Sequence, residues 1–227
     1  MHRFFVNQKA DDNHFILDEK NLKHLKVARL VNEDFLCVYQ KEFYLCCLKN
    51  NLASIKNKLD INNEFKNEII LAAPIIKMER FEWLLQKATE LGVKKIIPMI
   101  TKYTNGNLVK YDLFKKRLRH LEILKNAAEQ SFRNVIPELL EPTKIENILK
   151  RFQNKKIFIA HEKTNRETIQ TLSDNCLILV GPEGGFAQEE IELAQQYNAQ
   201  IVSLGKRILR AETACIYLLS NIKENNE

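Results

Sequence analysis

The chain predicts an α/β fold: a mostly parallel sheet with helices on both faces over residues 68–227, preceded over residues 1–67 by a small β-barrel. Three observations carry that prediction. Strand-like and helix-like runs alternate along the second part, the pattern of a parallel sheet with crossover helices. The first part holds five short strand-like runs divided by polar turns, with one helical stretch among them. The composition of the 227 residues, 45% hydrophobic and 28% charged, is that of an ordinary globular protein long enough to bury its own core.

In the first part the strand candidates are residues 3–6, 14–17, 35–39, 43–48 and 52–59. Asp11-Asp12-Asn13 and Asn32-Glu33-Asp34 mark turns, and residues 22–30 read as a helix. The second part opens with a buried strand at 69–73. A helix follows with Phe81, Leu84, Leu85, Ala88 and Leu91 at a 3.6-residue period, and Gly92 stops it at the position after the cap. Then come a strand at 93–100, a loop around Asn105-Gly106-Asn107, and a helix expected to bury Phe114, Leu118, Leu121, Leu124 and Ala128 in line. A short strand at 138–140, a helix at 145–152, a strand at 157–160 and a helix from Thr168 continue the alternation. Strand 176–180, helix 187–197, strand 201–204 and helix 210–222 complete it.

The formal charge of +6, 35 Lys and Arg against 29 Asp and Glu, is a mild surplus that admits a polyanionic partner without demanding one. Its densest stretch carries Lys110, Lys115, Lys116, Arg117, Arg119 and Lys125, a solvated helix face or a stripe turned to RNA. The five cysteines form no Cys-x-x-Cys pair, and His161-Glu162 lacks the second histidine of a metalloprotease helix, so reduced thiols and no metal are expected. No apolar run is long enough to span a bilayer, and no leader precedes a cleavage-like site. The expectation is a soluble cytoplasmic protein without membrane contact.

Open parallel sheets bind ligands beyond the carboxyl ends of their strands, which directs attention to the loops after residues 160, 180 and 204. The second of these reads Gly181-Pro182-Glu183-Gly184-Gly185-Phe186. Its glycines allow close backbone approach by a ligand. It is a poor phosphate cradle, because no Gly-Lys-Ser/Thr ending or dinucleotide fingerprint is present. Glu183 in the loop and Glu189 and Glu190 in the next helical turn would also repel a phosphate from that helix N-terminus. A neutral or cationic ligand with hydrogen-bonding edges suits it better. The third loop runs from Gly205 through Lys206-Arg207-Ile208-Leu209-Arg210-Ala211-Glu212-Thr213-Ala214, again with a carboxylate close by.

These two loops resemble the signature loops of the ribosomal RNA small subunit methyltransferase E family, in the SPOUT superfamily. Lys87-Ala88-Thr89-Glu90-Leu91-Gly92-Val93, Ala128-Glu129-Gln130-Ser131 with Arg133 and Pro137, Arg119, and Arg3-Phe4-Phe5 match further positions in order. The chain departs from the family where Lys23 stands six places before Arg29 in place of a histidine, with His24 one place off. Asn32-Glu33-Asp34 also lacks the usual glycine, and Ala187 replaces the usual helix-capping Ser or Thr, a loss of about 1 kcal/mol for that helix.

The resemblance implies an N-terminal PUA-like barrel that binds RNA, a SPOUT domain closed by a deep trefoil knot, and a homodimer. It implies transfer of a methyl group from S-adenosylmethionine to N3 of one uridine of 16S rRNA in the small ribosomal subunit. It assigns cofactor binding to Ala160, His161, Gly181, Glu183, Gly184, Gly185, Leu204, Gly205, Arg207, Ile208, Leu209, Arg210 and Thr213. RNA contacts fall to Arg3, Lys26, Arg29, Lys87, Arg119 and Arg133. Uridine N3 must lose a proton to be methylated. Arg210 is the expected stabiliser of the resulting charge, and either Glu183 or Glu212 the proton acceptor. A SPOUT enzyme acting on another RNA such as tRNA, and a non-catalytic RNA-binding protein of the same fold, are the competing readings. The presence of Glu183, Arg210 and Glu212 weighs against the second.

Overall fold

The computed structural model describes residues 1–161 and 172–223. The chain divides into two units, Met1–Glu64 with Ala128–Val135, and Phe65–Ala127 with Ile136–Glu227.

The first unit contains β1 (Arg3–Phe5), β2 (Lys9–Asp11), β3 (His14–Ile16), α1 (Glu19–Val27), β4 (Phe35–Tyr39), β5 (Glu42–Lys49) and β6 (Leu52–Leu59). They form one six-stranded sheet in the order β1-β4-β5-β6-β3-β2, parallel only between β1 and β4. Gln40-Lys41 and Asn50-Asn51 turn the two central hairpins with positive φ at both positions, the conformation that matches strand twist in two-residue turns. Alternate residues of β4 enter separate cores. Phe35 and Cys37 join Phe4, Phe15 and Leu25, whereas Leu36 and Val38 join Phe43.

Helix α1 begins three residues before its expected start because the Asp18 carboxylate accepts the Asn21 N–H at 2.7 Å and caps it. It ends without glycine, with Arg29 in the left-handed region and Leu30 N–H reaching back to the Leu25 carbonyl. The segment Ala128–Val135, which the sequence reading gives to the second part, belongs to this unit. Phe132 stacks on Phe43 at 5.0 Å, and the Arg3 guanidinium lies 4.7 Å from the Phe132 ring centre.

The second unit is ordered as β7 (Ile69–Pro74), α2 (Met78–Glu90), β8 (Lys95–Ile100), a π-helical stretch (Leu108–Leu113) and α3 (Arg117–Gln130, whose end enters the first unit). It continues with β9 (Glu138–Leu139), β10 (Thr143–Lys144), α4 (Ile145–Arg151), β11 (Lys156–Ala160) and β12 (Leu172–Ser173). The last elements are β13 (Cys176–Leu179), α5 (Gln188–Gln196), β14 (Gln200–Val202), α6 (Ala211–Ser220) and β15 (Ile222–Lys223). The helix expected from Thr168 begins outside the described residues.

The main sheet runs β10-β8-β7-β13-β11-β14 with β9 beside β8, and every pairing is parallel. Period-two alternation sends Ile69, Leu71 and Ala73 to one face, with Phe81, Leu84 and Ala88 of α2 and Cys215 and Leu218 of α6. Ile70 and Ala72 face the other way, toward Ile148 and Leu149 of α4 and Ile191 and Ala194 of α5. Helices therefore cover both faces, as the alternation predicts. Gly92 ends α2 at φ +86°, where a Cβ would come within 2.3 Å of the Phe65 ring.

One expected face is wrong. Phe114 and Leu118 are 80% and 83% exposed, and Leu121 is exposed as well; only Leu124 and Ala128 of that line are buried. The buried arc at 100° per residue is the one through Leu113, His120, Leu124 and Ala127, and Phe114 and Leu118 lie to the outer side of it.

Candidate active site

Because β13, β11 and β14 are neighbours and parallel, their carboxyl ends share one rim. Ala160 and His161 leave β11 there, residues 180–186 leave β13, and residues 204–210 leave β14. Together with Ala211 and Ala214 of α6 they enclose a cavity of about 370 Å³, a volume suited to a small ligand. His161 N–H donates to the Val202 carbonyl at 3.1 Å and carries the β11–β14 pairing up to the rim.

The glycine loop needs its glycines. A Cβ on Gly181 would stand 2.9 Å from the Gly185 carbonyl group, and one on Gly184 would stand 2.8 Å from Tyr103 Cβ. Gly185 sits at φ +70°, donating its N–H to the Pro182 carbonyl at 2.8 Å, and Gly205 sits at φ +100°. Val180, Phe186, Leu204, Ile208 and Leu209 give the cavity apolar walls. Arg210 caps α6 and is exposed, with Arg207 and Lys206 beside it. Glycine backbone and apolar wall suit a ligand with flat, hydrogen-bonding edges, and Glu183 is the one carboxylate among the described lining residues.

Ala187 caps α5 without a side-chain acceptor, yet the helix start is compensated. Glu190 accepts the Ala187 N–H at 2.9 Å and the Lys102 N–H at 2.8 Å, which supplies half of a capping box and ties the loop after β8 to α5. Glu189 is held below the usual carboxylate range by its own backbone N–H and by Lys102.

Most of the expected cofactor residues line this one cavity: Ala160, His161, Gly181, Glu183, Gly184, Gly185, Leu204, Gly205, Arg207, Ile208, Leu209 and Arg210. Thr213 does not; it is exposed on α6. Glu212 does not either, since its buried carboxylate turns toward Arg80 on α2, with Arg80 Nε 3.7 Å from Glu212 Oε1. Arg80 also lies 3.5 Å, through Nη1, from Glu183 Oε1. Sequence reasoning missed Arg80. Its signal was present, for α2 starts at the carboxyl end of β7, on the same rim.

The expected RNA residues divide by environment. In the first unit Lys26 and Arg29 are exposed around the end of α1. Arg3 donates Nε–H to the Glu129 carbonyl and Nη2–H to the Gln130 carbonyl at 2.8 Å, and burial lowers its pKa. Arg133 is buried in a two-pronged pair with Glu64, at 3.0 and 2.6 Å. Both guanidinium groups are thus engaged inside their own unit. In the second unit Lys87 pairs with Glu90 at 2.8 Å, and the exposed Arg119 with Glu82 at 2.9 Å.

Residues 63–223 match the model of the RNA methyltransferase domain. The ribosomal RNA small subunit methyltransferase E of Mesomycoplasma hyopneumoniae is 44% identical over 97% of this chain and 98% of its own length. The chain belongs to the ribosomal RNA small subunit methyltransferase E family. The Bacillus subtilis member is 29% identical over 100% of this chain and 98% of its own. Among solved structures, the family member from Neisseria gonorrhoeae bound to S-adenosylmethionine aligns at a TM-score of 0.81, with 29% identity over 97% of this chain and 95% of that one. A Legionella pneumophila methyltransferase with S-adenosylmethionine bound gives 0.80, with 30% identity over 97% and 96%.

Proposed function

We propose that this protein transfers a methyl group from S-adenosylmethionine to N3 of one uridine in 16S rRNA of the small ribosomal subunit. The observation that carries the reading is the rim cavity itself: glycine backbone and apolar walls, with Glu183 and Arg210 both at its border, in a chain whose relatives of the same fold hold S-adenosylmethionine. A sulfonium cofactor suits a cavity with the Glu183 carboxylate at its border. The backbone of residues 181–185 and 204–209 would hold it, reading the adenine edge through N–H and C=O groups, with Ala160 and His161 closing the side. When bound, it supplies an electrophilic methyl carbon.

The protein's own groups then handle the base. Arg210, at the N-terminus of α6, stabilises the negative charge that uracil oxygens gain as N3 is deprotonated, and the helix end adds to it. A carboxylate of the Glu183–Glu212 pair accepts the N3 proton. The target nucleotide must be unstacked to reach this rim. RNA contact is assigned to Lys26 and Arg29, exposed on the first unit, and to the Lys110–Lys125 stretch of the second, where Lys110, Lys115 and Arg119 are exposed, together with the half-buried Lys87.

Three further features belong to this reading. The first unit's six-stranded sheet serves as a PUA-like barrel. The SPOUT domain is closed by a trefoil knot; in support, α6 follows edge strand β14 yet packs on α2 and β7, so the chain crosses the rim above β11 and β13. The molecule is a homodimer, for which the exposed apolar row Phe114, Leu118 and Leu121 is the supporting feature. No helix among the described residues is long and apolar enough to cross a membrane, and no group of three or more His, Cys, Asp or Glu there could hold a metal. A cytoplasmic location belongs to the same reading, because the proposed substrate is the small ribosomal subunit.

Incubation with tritiated S-adenosylmethionine and unmodified small-subunit particles, followed by mapping of the labelled base, tests the reading. Label at N3 of a single uridine of 16S rRNA is expected. Label confined to tRNA, or none, overturns it.

A further inference from the structure

Arg80 stands between the two carboxylates that could accept the proton, and the two are not alike. Glu212 is 8% exposed, does not line the cavity, and among the described residues its Oε2 is buried without a hydrogen-bond partner. A buried carboxylate is strongly unfavourable without a cation, and Arg80, with Nε at 3.7 Å, is the cation it faces. Glu183 is 56% exposed, lines the cavity and sits before two glycines that do nothing to fix its direction. The same guanidinium reaches it through Nη1 at 3.5 Å. Two carboxylates brought this close would repel each other without the cation between them.

We propose that Arg80 is a positioning residue of the methyl-transfer site, anchored on buried Glu212 and holding Glu183 as the carboxylate that meets the reacting base. The proposal rests on the methyl-transfer reading and chooses between its two proton acceptors. The Arg80–Glu183 distance exceeds the 2.7–2.9 Å of a tight charge-assisted hydrogen bond, so the carboxylate is oriented without being tied up. The planar fork of Arg, with donors on separate nitrogens, reaches two acceptors at once; the compact ammonium of Lys does so less well. In the step itself the N3 proton passes to Glu183, while the N3 electron pair bonds to the methyl carbon and the carbon–sulfur bond breaks with its pair on sulfur. Glu183 afterwards returns the proton to solvent.

The test uses the full chain, small-subunit particles and tritiated methyl donor, with calorimetric titration of S-adenosylhomocysteine alongside. Replacing a catalytic base typically costs about a hundredfold or more, so E183Q is expected to lower kcat by at least that. R80Q is expected to lower kcat about tenfold, the lower end of what outer partners of reactive groups contribute. Its KM for the methyl donor and its affinity for S-adenosylhomocysteine should stay near wild type, because Arg80 does not line the cavity. R80K should recover part of the lost kcat. R80Q/E183Q should be no slower than E183Q, as groups acting through one another are not additive. E212Q should resemble R80Q. A wild-type kcat in R80Q, or losses that multiply in the double variant, overturns the proposal. If R80Q does not fold, E212Q decides, and a wild-type kcat there overturns it equally. An inactive wild-type protein that still binds S-adenosylhomocysteine would instead refute the methyl-transfer reading, and this inference with it.

Discussion

Arg133 and Glu64 meet through two parallel hydrogen bonds of 3.0 and 2.6 Å, with their side chains 4% and 8% exposed. The Asn134 N–H adds a third bond to the same carboxylate at 2.9 Å. Removing one partner of such a pair strands the other charge in the interior. R133M is therefore expected to lose about 3–5 kcal/mol of stability, and E64Q to be destabilised as well. Urea denaturation in the absence of RNA measures this. An R133M protein as stable as wild type, with weakened RNA binding alone, would return Arg133 to the nucleic-acid surface.

Gly181 is expected to tolerate no side chain. The Cβ of alanine would press on the Gly185 carbonyl group at 2.9 Å, and backbone cannot swing aside as a side-chain tip does. G181A should weaken S-adenosylhomocysteine binding at least about tenfold, or 1.4 kcal/mol, in a calorimetric titration. An unchanged affinity would remove the glycine loop from the cofactor site.

His120 should make the protein sensitive to mild acid. It is buried against Phe81, with ring centres 5.4 Å apart, and burial lowers its pKa; Glu82 opposes the shift, while Lys116, Arg119 and Arg117 add to it. The unfolded chain takes up this proton first as the pH falls below about 6.5, so stability declines from there until the lower folded value is reached. The His120 contribution to the slope of unfolding free energy against pH has an upper limit of about 1.4 kcal/mol per unit, the value for one whole proton. H120Q should flatten it between pH 7 and 5. An identical slope in the variant would show that His120 does not control it.

The exposed row of Phe114 with Leu118 and Leu121 of α3 predicts self-association. If the proposed dimer forms through this patch, F114E and L118E each place a charge where dimerisation would dehydrate it, and both should sediment with a lower mass than wild type at the same concentration. A wild-type mass in both variants would move the dimer contact elsewhere.

Much of this architecture is legible in the residues. The period-two runs locate β7 and β13 within a residue or so, and the 3.6-residue spacing of Phe81, Leu84, Leu85 and Ala88 marks the buried face and the end of α2, because packing and local pattern agree there. The glycine spacing at 181–185 marks the rim loop, since only glycine survives such close backbone approach. What escaped depends on geometry that spacing does not encode. The inward arc runs through His120, a polar residue that apolar spacing passes over, which leaves Phe114 and Leu118 outside it. β2, three exposed residues long, has no apolar alternation to announce it. Arg80 and Glu212 are far apart in sequence, so only the fold reveals that one guanidinium serves two carboxylates.

The eight residues Ala128–Val135 return to the first unit after some sixty spent in the second, so that unit is discontinuous along the chain. A fragment cut at residue 67 would lack the ring that stacks on Phe43, the carbonyls that receive Arg3 and the guanidinium opposite Glu64. Expression of residues 1–67 alone should yield protease-sensitive polypeptide. Fusing 128–135 to its end through a short linker is the least addition expected to restore a stand-alone module.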